Sequence, residues 1–167
     1  AADGVRDTCA TGVRTWALPI SAAVSVCQGD VRNTPVELQE IKYPVLIETH
    51  ALRTDSGGDG KHRGGLGIEL TYQLLQKCKA NINLDRTLDP PWGLHGGKSG
   101  AVNECYIHRA DGTEMAVKKA TEIDIAAGDK VVFLTAGGGG YGDPGKRAPE
   151  AKAHDAAAGF VTKASES

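Results

Sequence analysis

Five polar side chains sit within or beside runs of glycine, and they are the residues best placed to do chemistry. Asp55 and Arg63 lie in the stretch 55–67, His95 in 93–100, and Tyr141 and Asp143 at the end of a run that begins at Thr135. Binding residues concentrate on loops that a rigid scaffold holds in place. These five are therefore expected to line a pocket, with Arg63 available for anion recognition. The competing structural role for Asp55 and Arg63 is to pin the first loop through an ion pair and hydrogen bonds to its bare N–H groups. His62, in the same loop, has the same standing as His95, whereas His50 and His108 fall in strand-like segments and read as ordinary paired or surface residues.

Sharper chemistry is hard to build from these spacings. Residues 93–99 approach the phosphate loop G-x-x-x-x-G-K-[ST], but Trp92 stands where its first glycine is required. No helix pattern follows, so the backbone cradle and helix N-terminus that hold a phosphate are not expected here. The five histidines show no H-x-H or H-E-x-x-H pairing, and Ser56 is not in a G-x-S-x-G elbow. Cys9, Cys27, Cys78 and Cys105 are spread without a C-x-x-C pair, which argues against structural zinc and for reduced, mostly buried thiols. No cofactor or metal is therefore assigned to this chain.

Composition narrows the class of partner. The chain has 167 residues, with 19 Lys and Arg against 21 Asp and Glu, and no block of like charges. A nucleic-acid or anionic-membrane footprint is missing. No apolar run approaches the ~20 residues that cross a bilayer. A cytoplasmic location is expected. Aromatic residues make up 5 %, so the core must lean on Val, Ile, Leu and Ala.

The elements that must position the five residues are mostly strands. Alternation over 41–53 places Val45, Ile47, Thr49 and Ala51 on one face and Leu46, Glu48, His50 and Leu52 on the other. Further strands are expected over 66–75, with Ile68, Leu70 and Tyr72 on one face, and over 79–85. Segments 102–109 and 113–117 flank a hairpin turn in which Gly112 suits a left-handed backbone. Segments 122–125 and 130–135 flank a second turn at Gly128. Residues 149–159 open with Pro and Glu, are rich in Ala and stop at Gly, the pattern of a helix. The expected fold is mainly β (α+β), a sandwich or barrel-like domain with a C-terminal helical tail. Residues 1–30 read as an extended arm that packs on a partner, 31–148 as the β-rich domain and 149–167 as the helical tail. Three stretches hold fifteen of the 22 glycines. Glycine gathers where φ is positive or where another backbone or ligand approaches closely. Gly57, Gly58, Gly64 and Gly65 are expected to need positive φ, and the loops to present their edges to something else.

Several of these segments carry a family resemblance. Arg32-Asn-Thr-Pro-Val-Glu37, Tyr43-Pro-Val, the whole of 52–67, Pro90-Pro-Trp-Gly-Leu-His-Gly-Gly and Gly137-Gly-Gly-Gly-Tyr-Gly-Asp-Pro144 resemble, in order, the C-terminal part of the hydantoinase B/5-oxoprolinase family. The resemblance covers about residues 30–162 and includes the closing Ala-rich helix. Ala136 departs from it, since the family usually has Pro there, and the first 30 residues match poorly. In the family this segment is the tail of a longer polypeptide whose metal-binding histidines and acidic residues lie upstream.

A tail standing as its own chain is similar to the small subunit of multi-subunit acetophenone carboxylases. That implies a non-autonomous subunit of an ATP-dependent, biotin-independent ketone carboxylase, converting acetophenone and bicarbonate to benzoylacetate. Its partners would be a larger hydantoinase B-like subunit, a hydantoinase A-like ATPase and further small subunits, with ATP and divalent metal ions held by those partners. The same resemblance leaves open a hydantoinase- or 5-oxoprolinase-type amide hydrolase and an acetone carboxylase. From the residues alone, an autonomous small-molecule-binding domain is the alternative of a different class.

Overall fold

The computed structural model describes residues 35–162. The chain runs from a short helix α1 (Val36–Lys42) through strands β1 (Val45–Arg53), β2 (Gly67–Leu74), β3 (Cys78–Asn83), β4 (Glu104–His108), β5 (Glu114–Ala116), β6 (Lys119–Ile125) and β7 (Lys130–Leu134). A 3₁₀ turn (Pro144–Lys146) and the helix α2 (Pro149–Ala157) complete it. The expected arm over residues 1–30 lies outside the described residues.

Five strands form an open antiparallel sheet in the order β1-β2-β7-β4-β5, and β3 pairs with β6 in a second sheet. One core joins them: Ile68, Leu70, Phe133 and Ile107 from the large sheet pack with Ile82 and Ile125 from the small one. Ile107, on β4, is fully buried at 0 % exposure. The fold is thus mainly β with a C-terminal helix. The two sheets are layered and open, which is the sandwich-like arrangement and not a closed barrel.

Three details differ from the sequence reading. Residues 36–42 form a helix, so the strand begins at Val45 and not at Ile41. Pro35 opens this helix, Glu37 sits in its first turn and Lys42 in its last, which is the charge order that suits its dipole. Alternation along β1 is then broken. Ile47 stands opposite Tyr72 but Thr49 opposite Thr71, so one extra residue at Glu48 moves Thr49 and Ala51 to the other face from Val45 and Ile47. A bulge changes no residue type, and period-2 reading passes straight through it. Lastly, the turn at Gly128 joins strands of different sheets, since β6 pairs with β3 while β7 pairs with β2 and β4.

Asp129 makes that sheet-to-sheet turn possible. Its buried carboxylate accepts from the N–H groups of Ala110 and Ala126, at 2.9 Å each, and from Arg109 at 2.8 Å. Burial by itself would push this carboxyl up. The Arg109 guanidinium and the two N–H donors hold it below the usual carboxylate range instead. Gly128 adopts φ +89° and donates to the Leu74 carbonyl at 2.7 Å, which ties the same turn to β2. Because the folded group titrates below the unfolded one, its contribution to stability is present above the unfolded value of about 3.9 and lost as pH falls through the folded value. Thermal unfolding followed from pH 7 to pH 2 should therefore show a loss of stability below about pH 4, and an Asp129→Asn chain should show less of it while being less stable at pH 7.

Candidate functional site

The three glycine stretches come together beside the open end of the large sheet and bond to one another. Gly58 donates to Gly138 O at 2.8 Å, Gly138 to Gly65 O at 2.8 Å and Gly64 to Gly58 O at 2.9 Å. The middle stretch is drawn in by Lys98 N–H to Asp59 O at 2.7 Å, Gly140 N–H to Lys98 O at 2.8 Å and Gly142 N–H to Leu94 O at 2.9 Å. Backbone lies directly on backbone. A Cβ added at Gly64 would fall 1.9 Å from the Gly138 carbonyl oxygen, and one at Gly97 would fall 2.2 Å from that of Gly140. Of the four glycines expected to need positive φ none does so; among the glycines of these three stretches, Gly96 and Gly142 are the ones in that region. Close approach is what demands glycine here, and the other backbone belongs to the same chain.

The rim of this layer carries the aromatic residues. Tyr141 bridges His62 on one side and Leu94 on the other through its backbone. Its ring lies 5.0 Å from that of His95, edge-on, and 6.2 Å from that of His62. The tyrosine is half exposed, at 49 %. Thus two of the five expected pocket residues, His95 and Tyr141, are brought together, with His62 beside them.

Asp55 and Arg63 face elsewhere, towards the C-terminal segment. Arg63 donates through Nε to Asp155 at 3.1 Å, and its guanidinium lies 5.3 Å from the Phe160 ring. Asp155, nearly buried on α2, also accepts from Arg147 at 2.5 Å. Asp55 receives the Thr162 N–H at 2.9 Å and the Thr162 hydroxyl, while its own N–H donates to Phe160 O at 3.1 Å. These two residues fasten the helix and its C-terminal extension to the first loop; they do not pair with one another. Asp143 caps the 3₁₀ turn by accepting the Gly145 N–H at 2.9 Å.

Sequence reasoning missed the partners that make this arrangement hold. Asp155 had a signal, since an Asp deep in an alanine-rich helix is too far from the N-terminus to act as a cap. Asn103 had none. Its buried amide donates to Asp85 O at 2.8 Å and accepts from Ala136 N–H at 2.6 Å, which joins the second connection to the third glycine run. Arg53 closes the sheet end by donating to the carbonyls of Val102, Leu134 and Thr135 and to Glu104.

The usual reactive groups are already committed. Ser56 is buried, donating to Arg53 O at 2.5 Å and accepting the Gly67 N–H at 2.8 Å. Burial pushes the Cys105 thiol up to about 12, far from a thiolate at neutral pH, and pushes Cys78 up as well. Lys98 pairs with Asp59 at 3.2 Å, and the N–H groups of Leu94, Gly97, Lys98 and Gly100 donate to protein carbonyls. No group of three His, Cys, Asp or Glu residues suited to a metal occurs among the described residues. An open depression of about 720 Å³ is lined by Asp85, Arg86, Asp89, Pro90, Trp92 and Ser99, and none of the five expected pocket residues lines it.

Residues 9–144 match the Hydantoinase B/oxoprolinase family. The chain belongs to that family. The match starts within the first 30 residues, where the motif resemblance was poor, and stops before α2. An uncharacterized protein of Methanocaldococcus jannaschii is 44 % identical over 115 residues, 69 % of this chain and 20 % of that protein. Caprolactamase subunit beta of Pseudomonas jessenii is 36 % identical over 129 residues, 72 % of this chain and 22 % of that one. The solved ATP-dependent caprolactamase from the same organism superposes with a TM-score of 0.73 at 31 % identity, covering 80 % of this chain and 24 % of that chain. Acetone carboxylase in its nucleotide-free form gives 0.62 at 22 % identity over 80 % of this chain and 22 % of that one, a likeness of fold. The chain spans about a fifth to a quarter of the length of these relatives. No helix among the described residues is long and apolar enough to cross a membrane.

If the glycine layer is packed as described, a side chain on it must push two backbones apart. Gly64→Val should cost about 3 kcal/mol or more of unfolding free energy, at the upper end of overpacking. Lys61→Ala, on the exposed side of the same loop, should stay within about 0.5 kcal/mol. Denaturant unfolding of the two chains beside the parent measures both.

Proposed function

We propose that this segment is a non-catalytic structural part of an ATP-dependent enzyme of the hydantoinase/oxoprolinase type, completing the fold of a larger hydantoinase B-like unit. The observation that carries the reading is the closed bonding of the glycine layer. The N–H groups of Gly58, Gly64, Gly97, Gly100, Gly138, Gly140 and Gly142, with Ser56 and Lys98, are spent on the protein itself, which favours a structural role for the layer over a chemical one. In this reading ATP and divalent metal ions bind elsewhere in the assembly, on a hydantoinase A-like ATPase partner and the hydantoinase B-like unit. Residues 31–148 act as the docking domain, the arm over 1–30 contacts that unit, and the assembly works in the cytoplasm.

Two substrate classes are in play. Cyclic amides come first, because relatives above 30 % identity include a caprolactamase subunit and a 5-oxoprolinase of Dictyostelium discoideum, 32 % identical over 72 % of this chain and 10 % of that one. Carboxylation of a ketone, acetophenone in particular, is the second. The fold shared with acetone carboxylase supports it.

Both classes share one expectation. Residues that position others without touching the reacting atoms lower activity by a factor of ~10–100 when removed. Single alanine substitutions at Asp55, Arg63, His95, Tyr141 and Asp143 in the assembled enzyme should leave residual turnover and unchanged metal content. Loss of all turnover at any one of them, with assembly and metal intact, would make that residue catalytic and overturn the reading. ADP release from the assembly with 5-oxoproline, caprolactam or hydantoin, set against acetophenone with bicarbonate, separates the two substrate classes.

A further inference from the structure

The open depression beside the glycine layer has a residue whose conformation costs energy and whose charge has no ion pair among the described residues. Arg86 holds φ at +51°, in the left-handed region that side-chain-bearing residues avoid. Such strain persists only where the surroundings over-determine it, and it gathers at ligand sites. Here the surroundings are the buried Asn103. Its N–H donates to Arg86 O at 3.0 Å while its amide clamps Asp85 O and Ala136 N–H. The guanidinium is set 5.4 Å over the Trp92 ring.

The charges around it are unequal. Asp85 is neutralised by Lys119 at 3.2 Å. Arg86 and Asp89, both lining the depression, have no ion pair among the described residues. Trp92 is 57 % exposed and, with Pro90, supplies apolar lining to the same depression. A guanidinium stacked on an indole keeps its edge donors free, and that edge matches a carboxylate in a bidentate manner.

We propose that this depression binds a small zwitterion of the amino-carboxylate type. The ligand carboxylate takes the Arg86 edge with help from the Ser99 hydroxyl, its ammonium takes Asp89, and its carbon chain lies on Trp92 and Pro90. Hydrolytic opening of a cyclic amide yields such a molecule, one amine and one carboxylate on a single skeleton. The binding proposal stands without that reaction, however, because it rests on Arg86, Asp89 and Trp92 alone.

The test is titration of the 167-residue chain, carrying Trp16→Phe so that Trp92 is its sole tryptophan, without ATP. The probes are 6-aminohexanoate, hexanoate and hexylamine. Saturable change in Trp92 emission is expected with 6-aminohexanoate, and weaker binding of the other two. Arg86→Lys should weaken binding about tenfold or more, since an ammonium cannot replace the fork. Arg86→Gly should abolish it while raising the thermal midpoint, because glycine relieves the φ strain. That combination rules out unfolding as the cause. Asp89→Asn should remove the preference for 6-aminohexanoate over hexanoate. No saturable change at millimolar probe overturns the proposal, as does equal affinity in the Arg86→Gly chain or equal binding of all three probes to the parent.

Discussion

Backbone resting directly on backbone is the constraint from which the rest of this domain follows. Three extended stretches of chain, remote in sequence, lie so close that a single methyl group at Gly64 would overlap the Gly138 carbonyl. Such closeness is available only without Cβ atoms, and it lets N–H and C=O groups of three different connections satisfy one another. Ordinary loops of this length would leave those groups to water. Here many of them bond to one another, although few of these residues belong to a named strand.

That layer dictates where the functional side chains point. Tyr141 is fixed because its backbone is paired on both sides, to His62 and to Leu94. Trp92 is fixed by the approach of Gly139, at which a Cβ would fall 2.0 Å from the Trp92 carbonyl oxygen. Asn103 ties the strained Arg86 to the start of the third glycine run, so the depression beside Trp92 inherits the rigidity of the layer. Arg63 and Arg147 share Asp155, an arrangement that holds α2 against the first loop. Removing one member of such a nearly buried cluster leaves a charge without compensation, which is why its three members act as a unit.

Strand positions were legible because β2 alternates apolar and polar residues and β7 is a short run of Val, Phe and Leu between turn residues, and the hairpin at Gly112 and the helix ending at Gly159 carry their own punctuation. The bulge at Glu48 was not legible, since an inserted residue leaves composition untouched. Nor was the pairing of β6 with β3, which depends on a long-range choice of sheet. The glycine runs were conspicuous but ambiguous: the same composition serves a mobile edge, a phosphate cradle or a close-packed layer, and only the partner of each N–H distinguishes them. Within the candidate site, His95 and Tyr141 were found together because both sit on glycine runs. Arg86 was missed because a left-handed backbone at a non-glycine residue leaves no mark in the sequence.

The glycine layer is a structural element bonded within itself and not a set of ligand-ready loops. Native-state hydrogen exchange at the amides of Gly58, Gly64, Gly138 and Gly140 reads this directly, since each donates to a carbonyl of the same chain. Amides that open only with the whole fold are protected to the level of core strands. Protection of these four is expected to equal that of Val131 and Phe133 on β7. Exchange at the rate of an open loop, with β7 still protected, would contradict it.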